Sequence, residues 1–164
     1  MIILVLGGAR SGKSAVAEEL VARWAGPVTY IATAAVDPND AEHAARIAAH
    51  QARRTPSWAT VEAGADLPEV LRAVGGTVLV DSLGTWVTGS VELSPDVNSL
   101  CGALKERAGD TVVVSEEVGL GVHPSSELGR RFRDVLGEVN VAVAAVADDV
   151  LLAVAGRVVP LARP

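Results

Sequence analysis

Residues 7–14 read Gly7-Gly8-Ala9-Arg10-Ser11-Gly12-Lys13-Ser14, and they follow an apolar run, Met1-Ile2-Ile3-Leu4-Val5-Leu6. Gly7, Gly12, Lys13 and Ser14 stand at the spacing GxxxxGKS of the Walker A phosphate-binding loop. Each part of that order has a physical reason. A buried strand delivers the loop, glycines let backbone N–H groups close around phosphate oxygens, and a helix begins where the positive end of its dipole faces the anion. Lys13 then reaches the outer phosphates, and the Ser14 hydroxyl is placed to ligate the magnesium that accompanies them. Ala15 to Trp24 predicts the helix, with Val16, Leu20 and Trp24 along one face. A strand before and a helix after distinguish a nucleotide loop from a chance glycine-rich turn. A secretory leader does not fit the same residues, because no basic segment opens the chain and Gly7-Gly8 and Arg10 interrupt the apolar run.

Composition bounds the rest. A chain of 164 residues fits a single domain with a real core. No stretch approaches the roughly 18 uninterrupted apolar residues of a membrane span, so a soluble protein without stable membrane insertion is expected. The formal net charge of −6 argues against a broad nucleic-acid surface, and any anionic ligand must be met by a local basic cluster. Cys101 is the one cysteine, which rules out an intramolecular disulfide and a cysteine-based zinc site. With no export signal, the expected compartment is the cytoplasm.

Beyond the first helix, Pro27 to Thr33 predicts a second strand. Asp37-Pro38 then opens a helix that runs to about Arg54 and stops before Pro56. This helix carries His43, Arg46, His50, Arg53 and Arg54 at spacings of three and four. Taken alone, such a face is an ordinary solvated surface, but a histidine among arginines in an acidic chain also suits a triphosphate held against an imidazole. Ser57 to Glu62 predicts a short strand, Asp66 to Val74 a helix with Leu67, Val70, Leu71 and Val74 inward, and Thr77 to Asp81 a buried strand closed by an acid. In phosphate-loop proteins an Asp at that position holds magnesium; otherwise it caps the next segment.

Residues 89–110 are less informative: Ser94-Pro95-Asp96 starts a helix through Leu100, Leu104 and Arg107 that stops at Gly109. Thr111 to Ser115 is another buried strand ending in Glu116-Glu117. Ligands of open parallel sheets bind beyond the carboxyl ends of the strands, so Asp81 and this Glu pair are expected on the rim that carries the phosphate loop. Gly119 to Pro124 is a connection able to close over a substrate. Ser125 caps the last helix, whose apolar stripe is Leu128, Phe132, Val135, Leu136, Val139, Val143 and Val146. Arg130, Arg131 and Arg133 reach phosphates or, more simply, face solvent and pair with neighbouring acids. Asp149 to Ala155 and Val158 to Leu161 form a strand and a terminal hairpin partner. The whole is a single α/β domain, a mostly parallel phosphate-loop NTPase-like sheet with helices on both faces.

Taken together the motifs resemble the bifunctional adenosylcobinamide kinase and adenosylcobinamide-phosphate guanylyltransferase family of cobalamin assembly. The resemblance rests on GGARSGKS at 7–14, Tyr30-Ile31-Ala32-Thr33, Ala45-Arg46-Ile47 with His50 followed by Arg53 and Arg54, Trp58 with Glu62, Val80 through Thr88, and Glu117 through Val122 with Pro124, leading to Arg130 through Asp134. It implies that ATP or GTP phosphorylates adenosylcobinamide. GTP then gives GMP to His50, and adenosylcobinamide phosphate takes it to form adenosylcobinamide-GDP. A neutral imidazole is a competent nucleophile at phosphorus, and arginines beside it neutralise developing charge.

The resemblance further implies nucleotide contacts from Gly7, Gly8, Ala9, Arg10, Ser11, Gly12, Lys13 and Ser14, from Ala32, Thr33 and Ala34, and from Gln51, Arg53, Arg54, Glu62 and Asp81. Arg46 and Glu117 take supporting roles, Ser14 and Asp81 hold Mg²⁺, and the chain assembles as a homo-oligomer, a trimer by analogy. His43 and His123 have no such match and are expected at the surface. Members often carry Asn where this chain has Glu116, and the 89–110 segment is shorter than in some relatives. The alternatives are a small-molecule kinase of the same fold without guanylyl transfer, and a nucleotide switch. The latter is disfavoured because the Asn-Lys-x-Asp guanine signature is missing from the sequence.

Overall fold

The computed structural model describes residues 1–34 and 57–163. The helix expected from Asp37 to about Arg54 lies outside the described residues. Within them the chain runs β1 (Ile2–Gly7), α1 (Lys13–Ala22), β2 (Val28–Ala32), β3 (Ala59–Glu62), α2 (Leu67–Ala73), β4 (Thr77–Asp81), α3 (Leu83–Gly89), α4 (Val97–Glu106), β5 (Thr111–Glu116), α5 (Glu127–Val146), β6 (Asp149–Val154) and β7 (Arg157–Pro160). Single 3₁₀ turns, Gly64–Asp66 and Val91–Leu93, precede α2 and follow α3.

The strands form one seven-stranded sheet in the order β3-β2-β4-β5-β1-β6-β7. All neighbours are parallel except β6 and β7, which pair antiparallel across Ala155 and Gly156. That two-residue turn has φ of 51° and 72°, the left-handed pair whose twist matches the flanking strands. The central strands read as unbroken aliphatic runs because both sheet faces are covered. Alternation then sorts them: Ile3 and Val5 pack with Ala17 and Val21 of α1 on one face. Leu4 and Leu6 pack on the other with Leu71, Trp86, Leu100, Leu104, Leu136 and Val139 from α2 to α5. Each such fully buried aliphatic side chain contributes about 1.5–3 kcal/mol, so the sheet is clamped from both sides.

Several details depart from the sequence expectation. Helix α1 starts at Lys13 and ends at Ala22, and its most buried residues are Ala17 and Val21, with Val16, Leu20 and Trp24 packed beside them. Ser126, not Ser125, caps α5, its side chain accepting from Gly129 N at 3.1 Å. Leu128 stands 68% exposed, so the buried stripe of α5 starts further along the helix. Helix α3 was not anticipated. Arg107 ends α4 rather than lying in it. Its guanidinium donates to the carbonyls of Val74 and Gly76 at 3.0 and 2.9 Å and to Thr111 Oγ1 at 2.6 Å. It thereby fastens two connections at the end of the sheet opposite the phosphate loop. Burial pushes its pKa below the ordinary arginine value, against an opposing pull from Asp110. No described helix is long and apolar enough to cross a membrane.

Candidate active site

The loop between β1 and α1 is held by three local devices. Ser11 N donates to Gly8 O at 3.3 Å, closing a turn in which Arg10 and Gly12 take φ of 55° and 92°. Gly7 has no room for a side chain: a Cβ there would meet Ser11 Oγ and, at 2.9 Å, Ala153 O on neighbouring β6. The tip of the β6–β7 hairpin braces the loop from below, Gly156 N donating to Ser11 O at 2.8 Å. Gly12 offers α1 no side-chain cap, and apart from Lys13 N, which donates to Ser11 Oγ at 3.4 Å, the first-turn N–H groups lack intrahelical acceptors and suit an anion. Ala9 and Arg10 are exposed at the loop, while Lys13 and Ser14 are half-buried at the helix start.

Register aligns the other candidates on one rim. Gly7 is opposite Glu116, Asp81 opposite Val114 and Ala32, and Ala32 opposite Glu62. The carboxyl ends of β3, β2, β4, β5 and β1 therefore present Glu62, Ala32, Asp81, Glu116 and Gly7 in sequence across the sheet, the place where open parallel sheets bind ligands. Glu62 is exposed and Asp81 half-buried. Tyr30 O–H donates to Asp81 Oδ2 at 3.0 Å. Thr33 is buried, and its hydroxyl accepts from Ser82 N at 2.9 Å and lies 2.6 Å from Thr85 Oγ1. Its side chain thus pins the corner between Asp81 and α3, and Ala34 follows it half-buried. His43, Arg46, His50, Gln51, Arg53 and Arg54 lie outside the described residues.

The sequence reading singled out Glu117 as the supporting acid, yet the side chain that reaches the phosphate loop is that of Glu116. Its Oε1 lies 3.6 Å from Lys13 Nζ. Its Oε2 accepts from Ser82 Oγ at 3.1 Å and from Gly84 N at 3.0 Å. Lys13 Nζ also donates to Gly8 O at 3.4 Å. A Cβ at Gly84 would run into the Glu116 carboxylate and displace it, so the glycine lets the carboxylate sit here. Glu117 turns away and accepts from Gly119 N at 2.7 Å. Behind Glu116, buried Asn140 of α5 donates to the Glu116 carbonyl at 3.0 Å and accepts from Ser115 Oγ at 2.6 Å. The sequence reading does not include Asn140; its signal is a polar residue beside Val139 in an otherwise apolar helix stripe.

The loop from Gly119 to Pro124 is anchored at its far end. Arg130 donates to the carbonyls of Pro124 and Ser125 at 3.2 and 3.0 Å, and Arg133 lies 2.8 Å from His123 Nδ1 while pairing with Asp134 at 2.7 Å. In this structure Arg130 and Arg133 hold protein groups, and His123 sits at the surface as expected.

Comparison with known proteins gives the family. The family model described as cobinamide kinase / cobinamide phosphate guanyltransferase matches residues 3–161. The chain is 41% identical to the bifunctional adenosylcobalamin biosynthesis protein CobP of Pseudomonas aeruginosa, over 96% of this chain and 95% of that one. It is 37% identical to the bifunctional adenosylcobalamin biosynthesis protein CobU of Escherichia coli, over 95% and 97%. Among solved structures, an ATPase from a bacterial type III secretion system superposes on 92% of this chain with a TM-score of 0.57 at 9% identity, and the match spans 50% of that longer chain. That likeness is one of fold, and it matches an α/β sheet built around a phosphate loop. On a family match that runs almost from end to end, the chain belongs to the cobinamide kinase / cobinamide phosphate guanyltransferase family.

Proposed function

We propose that the chain, acting as one nucleotide-binding domain, phosphorylates adenosylcobinamide with ATP or GTP and then transfers GMP from GTP to the phosphorylated product. The observation that carries this reading is the Lys13 ammonium, held at the rim between the Gly8 carbonyl and the Glu116 carboxylate at 3.4 and 3.6 Å. It stands at the start of an uncapped helix, where a triphosphate would lie. In the first reaction the acceptor hydroxyl oxygen bonds to the γ-phosphorus, the bond to the leaving nucleoside diphosphate breaks, and the hydroxyl proton leaves to solvent. Lys13 and the loop N–H groups keep the phosphates in line and offset the charge that shifts onto the leaving oxygen.

In the second reaction we assign His50, with Arg46, Arg53, Arg54 and Gln51 around it, on the strength of its sequence context. An imidazole nitrogen bonds to the α-phosphorus of GTP as the bond to pyrophosphate breaks. A phosphate oxygen of adenosylcobinamide phosphate then displaces the histidine to give adenosylcobinamide-GDP. Ala32, Thr33, Ala34 and Glu62 are proposed to line the nucleoside side of the rim.

Mg²⁺ fits the donors present. Ser14 supplies a hydroxyl at the helix start and Asp81 a carboxylate on the rim, all-oxygen donors of the kind that hold this ion mainly through phosphates and water. When bound it neutralises phosphate charge. A homo-oligomer acting in the cytoplasm completes the proposal.

The test is incubation with magnesium and GTP labelled at the α-phosphate, followed by denaturation and intact-mass measurement. An acid-labile, base-stable gain of one GMP that is absent in His50→Ala is the expected result. No adduct and no pyrophosphate release, with corrinoid phosphorylation intact, would reduce the enzyme to a small-molecule kinase.

A further inference from the structure

We propose that Glu116 is an internal counter-ion that makes nucleotide binding at Lys13 depend on a divalent cation. The inference rests on the nucleotide reading of this site and adds to it a residue that couples two ligands. Three observations carry it. Glu116 Oε1 faces Lys13 Nζ at 3.6 Å, with the two side chains only 28% and 13% exposed, so solvent screens the pair weakly. Oε2 is held by two other donors, Ser82 Oγ and Gly84 N. The Glu116 carbonyl is fixed by Asn140. The carboxylate therefore stays in place when Lys13 leaves it.

The consequence follows from charge balance. With the site empty, Lys13 and Glu116 neutralise one another. An incoming triphosphate takes Lys13 for itself and leaves a fixed anion beside its own negative oxygens, a like-charge arrangement that disfavours binding. A hydrated divalent cation arriving with the phosphates restores neutrality between them. The chain should therefore bind nucleotide far more tightly with magnesium than without it, and the size of that gap should track the charge on residue 116.

Calorimetric titration of the β,γ-imido analogue of ATP tests this in EDTA and in magnesium, with inorganic tripolyphosphate as a second probe in EDTA. Glu116→Gln retains an oxygen able to accept from Ser82 and Gly84 while removing the charge. It should tighten analogue and tripolyphosphate binding in EDTA about tenfold, which is about 1.4 kcal/mol, and change binding in magnesium by less than about threefold. Glu116→Ser is a second neutral variant whose small side chain strains no neighbour, and whichever of the two melts as a folded protein must show the same collapse of the ratio. Glu116→Asp keeps the charge and must keep most of the wild-type ratio. An unchanged ratio in the neutral variants, or an equal collapse in E116D, overturns the coupling while leaving nucleotide binding intact. A wild-type chain that binds neither probe in either buffer overturns the nucleotide reading itself.

Discussion

Replacing Asn140 by leucine tests whether the polar link behind the site is structural support or an incidental contact. Asn140 is 7% exposed and Ser115 fully buried. The substitution keeps the branching and the number of side-chain heavy atoms, at the expense of a larger volume, and deprives the Glu116 carbonyl of its donor and the Ser115 hydroxyl of its acceptor. Each buried group left unpaired costs about 1–3 kcal/mol, hence about 2–6 kcal/mol for the two. Burial of the leucine offsets about 1–2 kcal/mol of that. A net loss near 2.5 kcal/mol lowers Tm by about 5–10 °C in a chain of this size. The assay is urea unfolding followed by circular dichroism, at one fixed protomer concentration so that any assembly contributes equally. Adding Ser115→Ala removes one of the two orphans, so the double variant should be about 1–2 kcal/mol more stable than the sum of the single effects predicts. An N140L protein within about 0.5 kcal/mol of the parent, or strictly additive single effects, would refute the reasoning.

Two further outcomes follow from the same geometry. Lys13→Ala should abolish both the kinase and the guanylyl-transfer activities and weaken nucleotide binding about tenfold to a hundredfold, while the melting temperature stays close to the parent, since the ammonium's contacts among the described residues are long ones, at 3.4 and 3.6 Å. Retained activity in either reaction would remove Lys13 from the phosphate site. Gly84→Ala should lower both stability and turnover, because the new methyl displaces the Glu116 carboxylate. Adding Glu116→Ala should restore the melt but not the magnesium dependence, and a melt that fails to recover would place the strain elsewhere.

The buried strands were legible because each is a short Ile, Leu and Val run between turn residues, and an open sheet covered on both faces leaves such runs little else to do. The phosphate loop was legible because its residue types are dictated locally, by turn geometry and helix start. Helix α3 escaped for the opposite reason. Its seven residues, Leu83–Gly89, include two glycines, two threonines and a valine. Its helical state is upheld by a local cap, the Ser82 N bond to Thr85 Oγ1 at 3.3 Å, and by a contact from outside, the burial of Trp86, whose indole donates to Ala65 O at 3.1 Å. The choice between Glu116 and Glu117 was equally non-local. Glu116 is the last residue of β5 and stands opposite Gly7 by register, whereas Glu117 lies beyond the strand and turns to Gly119 N, so which of them meets Lys13 is settled by the strand pairing. The confusion of Ser125 with Ser126 is of the same kind, since either hydroxyl suits a cap and only the backbone path decides.

The strand that carries the phosphate loop lies between β5 and β6, pairing Ile2 with Thr111 and Ile3 with Asp149. It therefore leaves the ribosome before both of its partners and is enclosed only after they follow. At about 5–20 residues per second, roughly 5–30 s of synthesis separates β1 from both of its neighbours. Through that interval a bare aliphatic segment waits for partners more than a hundred residues away, which favours slow closure and gives chaperones an obvious target. Because the brace at Gly156 forms later still, nascent chains have no finished nucleotide loop, and ligand-driven stabilisation can begin only once the C-terminal hairpin has emerged.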